Sequence, residues 1–215
     1  MGCLIAFEGV ARSGKSTLIN LLNQELSEKG IETSITEWNS YPGIQDIINH
    51  KKTHFTFSPL TYSLMHLSDF ALRYEERIRP ALERESYVIA DRWYYTAFTR
   101  DVVRGIPLDY VQQAYQFARK PDVVFFIDIP VEIALERHYK TKTYFGYNSG
   151  TDIWPELTAE EAFKTYFSAL KELYLPFIKE DRFIYLDGTN SPDDLMRQVR
   201  AHLSAKDVSV GEFGN

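Results

Sequence analysis

Leu4-Ile5-Ala6-Phe7-Glu8 runs straight into Gly9-Val10-Ala11-Arg12-Ser13-Gly14-Lys15-Ser16-Thr17, an apolar run set against a loop bounded by glycines. Residues 4–7 have the unbroken apolar character of a strand buried on both faces. Residues 9–16 match GxxxxGK[ST] in full, and the pattern from Lys15 to Lys29, stopped by Gly30, predicts a helix directly after the loop. Strand, loop and helix in that order make a phosphate cradle. The two glycines let backbone N–H groups curl round a β-phosphate, and the helix N-terminus adds its positive end. Lys15 then reaches the β- and γ-phosphates, and the Ser16 hydroxyl is placed for magnesium. Gly9, Val10, Ala11, Arg12, Ser13, Gly14, Lys15, Ser16 and Thr17 are therefore the expected contacts of a nucleoside triphosphate, ATP, with Mg²⁺ as its companion. Arg12 goes beyond the generic pattern. Charge gathers on a phosphoryl group in transfer, and an arginine already in the loop can stabilise it, with a solvated loop charge as the bland alternative.

Outward from this loop, short apolar runs alternate with helical patterns, the mark of βαβ units and a parallel sheet. Residues 31–36 alternate as a strand, and Pro59 to Glu85 reads as one long helix kinked or broken at Pro80. Tyr87-Val88-Ile89-Ala90 is a third strand ending at Asp91-Arg92, followed by a helical region punctuated by Gly105 and Pro107 and a helix near 109–118. Asp122 to Asp128 is the clearest buried strand, Pro130 starts a helix, Phe183 to Leu186 is the last strand, and a final helix opens near Ser191-Pro192. Residues 140–155, with Gly146, Asn148, Ser149, Gly150 and Pro155, read as a flexible loop between helices, and residues 205–215 as a polar, frayed tail.

Asp91-Arg92 falls at the carboxyl end of a strand, where open parallel sheets bind ligands. Asp91 can hold Mg²⁺ together with Ser16, and Arg92 can grip an acceptor phosphate with a bidentate fork; a surface ion pair is the bland alternative.

The chain has 215 residues, 44% hydrophobic and 25% charged, which fits one soluble domain spanning residues 1–204. A net charge of -6 argues against nucleic acid or an anionic membrane as partner, so any polyanion must be held by a local basic site. The single cysteine, Cys3, excludes an intrachain disulfide, and with no signal peptide or membrane span in view the expected location is cytoplasmic. His50, His54, His66, His138 and His202 lack metal-ligand spacing, and no GxSxG elbow is present, so neither zinc chemistry nor a serine hydrolase is expected.

FEGVARSGKST (7–17), RIRPALE (77–83), ADRWYYTAF (90–98) and PDVVFFIDIPVEIALER (121–137) together resemble the thymidylate kinase family over nearly the whole chain. Thr36-Glu37-Trp38-Asn39-Ser40 and the run from Thr96 to Gly105 resemble a divergent, archaeal-type branch of it. The resemblance implies a three-layer P-loop fold with a five-stranded parallel sheet in the order 2-3-1-4-5 and helices on both faces. It also implies a mobile lid at about 140–155, a nucleotide acceptor with dTMP the first candidate, and a homodimer. Near the last strand it implies an adenine-contacting turn at Asp187-Gly188-Thr189. The departures concern the acceptor, and they leave open a kinase for another (deoxy)nucleotide or a nucleoside, or a nucleotide-binding regulatory module without turnover. Ala11 stands where better-known members carry an aspartate, no arginine follows the second strand, and His66 and Phe70 occupy the base-reading positions. Trp38, Phe70, Arg73, Arg92, Tyr95 and Arg100 are the expected acceptor contacts, with Arg104 a further candidate for the phosphate clamp and Arg137, Lys140 and Lys142 as lid cations or a solvated helix end.

Overall fold

The computed structural model of the chain describes residues 2–54, 57–142 and 144–205. Its centre is β1 (Leu4–Glu8), buried at every position. β1 pairs in parallel with β3 (Tyr87–Asp91) on one side and β4 (Val123–Asp128) on the other. β2 (Thr33–Glu37) and β5 (Ile184–Asp187) complete a parallel sheet in the order β2-β3-β1-β4-β5, as the resemblance implies. The register sets Phe7 beside Asp91 and Glu8 beside Phe126. Strand order reverses at β1, so the carboxyl ends of β1 and β3 open onto the crevice where such sheets hold ligands.

The residues of β1 divide between two cores. Ile5 and Phe7 join Leu18, Leu22 and Leu26 of α1 (Lys15–Glu28) and Leu195, Val199 and Leu203 of α9 (Pro192–Ala205) on one face. Leu4 and Ala6 face the opposite way. They meet Phe70 of α3 (Pro59–Arg73), Leu82 of α4 (Arg79–Glu83), Phe98 of α5 (Tyr94–Arg100), Val111 of α6 (Leu108–Ala114) and Tyr174 of α8 (Ala159–Glu180). A third cluster ties Val10 of the glycine loop to Ala134 and Leu135 of α7 (Val131–Tyr139) and to Phe163 and Phe167 of α8. The loop is thus packed from beneath.

Element ends agree with the sequence reading to within about two residues, except that α6 stops at Ala114 rather than near 118, and three further differences stand out. The expected helix from 59 to 85 is α3 and α4 joined by a π turn, Tyr74–Ile78, just ahead of Pro80. Proline donates no hydrogen bond and crowds the carbonyl four residues back, and the wider turn accommodates both. α2 (Ile44–Thr53) was not anticipated, because it is short and buries only Ile48. α8 is 22 residues long and begins in a capping box, Thr158 with Glu161, a signal present in the sequence.

The loop of residues 140–155 carries more tertiary contacts than its glycines suggest. Arg104 donates through Nε to Asp152 at 2.9 Å, through Nη1 to the Tyr166 hydroxyl at 3.1 Å and through Nη2 to the Tyr147 carbonyl at 3.4 Å. Its guanidinium lies over the rings of Tyr62, Tyr147 and Tyr166. Gly150, at φ +80°, is required where it sits: a Cβ would come within 2.6 Å of the Tyr166 Cβ. Thr143 within this loop, and residues 206–215 of the expected tail, lie outside the described residues.

Candidate active site

The glycine loop closes over the end of β1 in a conformation few residues tolerate. Gly9 has φ +132°, and a Cβ there would meet the Ile127 carbonyl oxygen at 2.3 Å. Gly14 (φ +105°) and Arg12 (φ +69°) share the left-handed region. The Lys15 ammonium sits in the resulting concavity, donating to the Val10 carbonyl at 2.9 Å and, at 3.3 Å, to Gly9 O and Ser13 Oγ. Burial, and then the neighbouring Arg92 charge, pull its pKa down to about 7. A phosphate in the loop would counter both by setting an opposite charge beside the ammonium.

From the next strand, Asp91 Oδ2 accepts from Ser16 Oγ at 2.9 Å. Two hard oxygens side by side at the mouth of a phosphate loop suit Mg²⁺, which takes one or two protein oxygens and completes its shell with phosphates and water. Arg92 has φ +77° and donates to the Gly9 carbonyl at 2.8 Å, so its guanidinium lies against the loop. The turn that holds it is anchored on Glu8, which sequence reasoning missed. This carboxylate is fully buried and accepts from the Trp93 backbone N–H (2.8 Å), the Thr96 hydroxyl (2.9 Å) and the Tyr174 hydroxyl (2.8 Å). Burial raises its pKa, while the Arg92 charge and these donors favour the ionised form. A lone acid closing an all-apolar strand was the available signal.

Two chambers meet at the loop. The larger, of about 740 Å³, is lined by Arg12, Lys15, Ser16, Asp91 and Arg92 together with α2, the 144–149 segment and Phe163 and Phe167 of α8. The smaller, of about 490 Å³, lies between the loop with the start of α1, the end of α7 and the turn after β5, where Gly188 and Asn190 face it. Arg12, Lys15 and Ser16 belong to both. Arg137 is a brace at this junction, donating to the carbonyls of Arg12 (3.0 Å) and Gly188 (3.1 Å). Lys140 pairs with Glu136, whereas Lys142 lines the larger chamber.

The expected acceptor contacts divide sharply. Arg92 lines the larger chamber. Phe70 does not; it has no exposed surface and packs on Trp93 and Tyr115 in the core, because the buried face of α3 carries it inward. Tyr95 is likewise inside, its hydroxyl donating to Asp181 on the far side of α5. Arg73 is held by Asp69 (2.8 Å) and Thr36 (2.9 Å). Trp38 packs against His66, Phe70 and Tyr115. Arg104 is committed to Asp152 and the loop rather than to a phosphate clamp. Arg100 differs from these. It is 7% exposed, yet no described group accepts a hydrogen bond from its guanidinium, and its charge lowers the pKa of both Lys15 and Lys52. Asn49, Lys52, Tyr147, Asn148 and Phe163 line the larger chamber and were not singled out from sequence.

A parallel sheet with a phosphate loop at its switch point, a Ser–Asp oxygen pair and two chambers meeting at one lysine define a P-loop phosphotransferase. The family model described as Thymidylate kinase matches residues 7–199. The chain is 42% identical over 201 residues to "Probable thymidylate kinase 2" of Saccharolobus solfataricus, covering 93% of this chain and 94% of that protein. It is 32% identical over 210 residues to "Thymidylate kinase" of Thermosipho africanus, covering 92% and 95%. The chain belongs to the thymidylate kinase family.

Proposed function

We propose that the chain transfers the γ-phosphoryl group of ATP to the phosphate of dTMP, giving ADP and dTDP. The observation that carries this reading is the junction itself: Arg12, Lys15 and Ser16 face both chambers, so a group bound in one lies against a group bound in the other. The smaller chamber takes the donor nucleotide, with the Gly188–Asn190 turn at its far end, and the larger takes the acceptor. Ser16 and Asp91 would hold Mg²⁺, which when bound neutralises phosphate charge. Lys15 and Arg12 stabilise the charge that builds on the transferring group, and Arg92 orients the acceptor phosphate. No general base is required, since a phosphate oxygen is already a competent nucleophile. Catalysis comes from alignment and from keeping water out, and the packed 144–149 segment and the aromatic side chains of α8 wall the larger chamber for that purpose.

We read residues 1–204 as one kinase domain acting in the cytoplasm as a homodimer. Among the described residues no helix is long and apolar enough to cross a membrane. ADP release from MgATP, measured against a panel of nucleoside monophosphates and nucleosides, tests the proposal. Turnover with dTMP and none with nucleosides is expected. Silence with dTMP would overturn the acceptor assignment, and silence with every monophosphate would overturn transfer to phosphate.

A further inference from the structure

The larger chamber is lined by Arg12, Lys15, Lys52, Arg92 and Lys142, with Asp91 as the one carboxylate among the described lining residues. Four of these cations are accounted for by the reading above or by the loop over the chamber. Lys52, near the end of α2, is not. Its ammonium lies 3.1 Å from His66 Nε2 and 5.6 Å from the centre of the Tyr62 ring, and no described carboxylate pairs with it. His66 is itself fixed, stacked on Tyr62 at 4.3 Å and packed on Trp38 at 5.8 Å. Burial and the Lys52 charge hold the His66 pKa well below its ordinary value, so its Nε2 is a neutral acceptor for the ammonium.

The charged groups around Lys52 come from four places in the chain. Arg100 of α5 and Arg104 just beyond it repel it, while Asp69 of α3 and Asp152 of the loop attract it. Both carboxylates are already engaged, Asp69 with Arg73 and the Tyr41 N–H, and Asp152 with Arg104. Arg100 has the buried Asp101, itself bonded to Ser63, beside it, so the cation left without a carboxylate of its own among the described residues on the acceptor side is Lys52. A neutral ligand would leave that charge as it is, whereas a phosphate would neutralise it.

We propose that Lys52, seated on His66, binds the phosphate of the nucleoside monophosphate acceptor alongside Arg92, with Arg100 adding to the field from behind. This rests on the phosphotransfer reading. It has a consequence in pH, because burial and the Arg100 and Arg104 charges bring the Lys52 pKa down to about 7. Above that pH the free site must take up a proton as the phosphate binds, so the acceptor KM rises by up to about tenfold per pH unit.

The experiment compares wild type with Lys52→Met and Lys52→Arg, measuring KM for dTMP and for ATP, and calorimetric Kd for dTMP and thymidine. Loss of one charge-assisted hydrogen bond predicts a KM and Kd for dTMP raised about 10–100-fold in Lys52→Met. An unchanged ATP KM, unchanged thymidine binding and recovery in Lys52→Arg with a flattened pH profile are also expected. An unchanged dTMP Kd in Lys52→Met, or an equal loss for thymidine, would overturn the assignment. If no monophosphate is turned over, the phosphotransfer reading fails, and the dTMP Kd still reads Lys52 by itself.

Discussion

The donor and acceptor sides of this cleft share Arg12, Lys15 and Ser16 but are built in opposite ways. The donor cradle is nearly all backbone from one short stretch, and its shape follows from three positive φ values at Gly9, Arg12 and Gly14. The acceptor side is side chains brought together from α2, the end of β3, the 144–149 segment and α8. A site made of backbone is specified by contiguous residues and tolerates little change. A site made of converging side chains can exchange its readers while the sheet beneath stays the same. Lys52 on α2, seated on His66, is the exchange proposed above.

The most severe way to break the comparison is Lys15→Ala. Removing the cation shared by both chambers is expected to lower kcat by on the order of 10²- to 10³-fold. Calorimetry should show dTMP binding changed only a few-fold, since the acceptor side has its own cations. Loss of dTMP binding to the same extent would mean that the two sides are not separable.

Next in size is Arg104→Ala. The pair with Asp152 is almost wholly inside, and removing one partner of a buried pair costs about 3–5 kcal/mol because the other charge stays behind. Thermal or urea unfolding should register that loss, with the ATP KM little altered. The double variant Arg104→Met with Asp152→Leu should recover much of it. A stable Arg104→Ala protein with a raised dTMP KM would instead return Arg104 to the phosphate clamp.

Arg92→Ala separates the sides from the acceptor end. Its guanidinium faces the larger chamber and is absent from the lining of the smaller one. An increase of about 10- to 100-fold in dTMP KM with ATP KM near wild type is expected from steady-state kinetics. Equal increases in both would show that Arg92 serves the loop, through the Gly9 carbonyl, more than the acceptor.

What could be read from the sequence follows the same division. The cradle and the Asp91-Arg92 corner were legible because a motif and its flanking strands are local, and periodicity reports burial, whereas the sheet order came from the family resemblance alone. Glu8 and Lys52 were not, since a lone acid at a strand end or a lysine on a short helix acquires meaning only from its partners. Those partners are distant in the chain: Trp93 and Tyr174 for Glu8, and Tyr62, His66 and Arg100 for Lys52. Phe70 and Tyr95 misled for the converse reason. Aromatics beside a phosphate loop serve a pocket and a core equally well in composition, and only the phase of α3 and α5 against the sheet decides.

Phe70→Leu tests that last point with the smallest effect. Phe70 touches Trp93, Tyr115 and the Arg73 guanidinium, with no surface open to the chamber. Replacing it with a smaller apolar residue should cost about 1–2 kcal/mol of stability, seen as a lower unfolding midpoint in urea. The dTMP KM should stay within about twofold of wild type, well inside the roughly tenfold change that corresponds to 1.4 kcal/mol of lost contact. A KM that rises while the midpoint holds would mean that the ring turns outward to meet the base. The acceptor side would then keep an aromatic reader at this helix position, and its departure from the family would be confined to its charges.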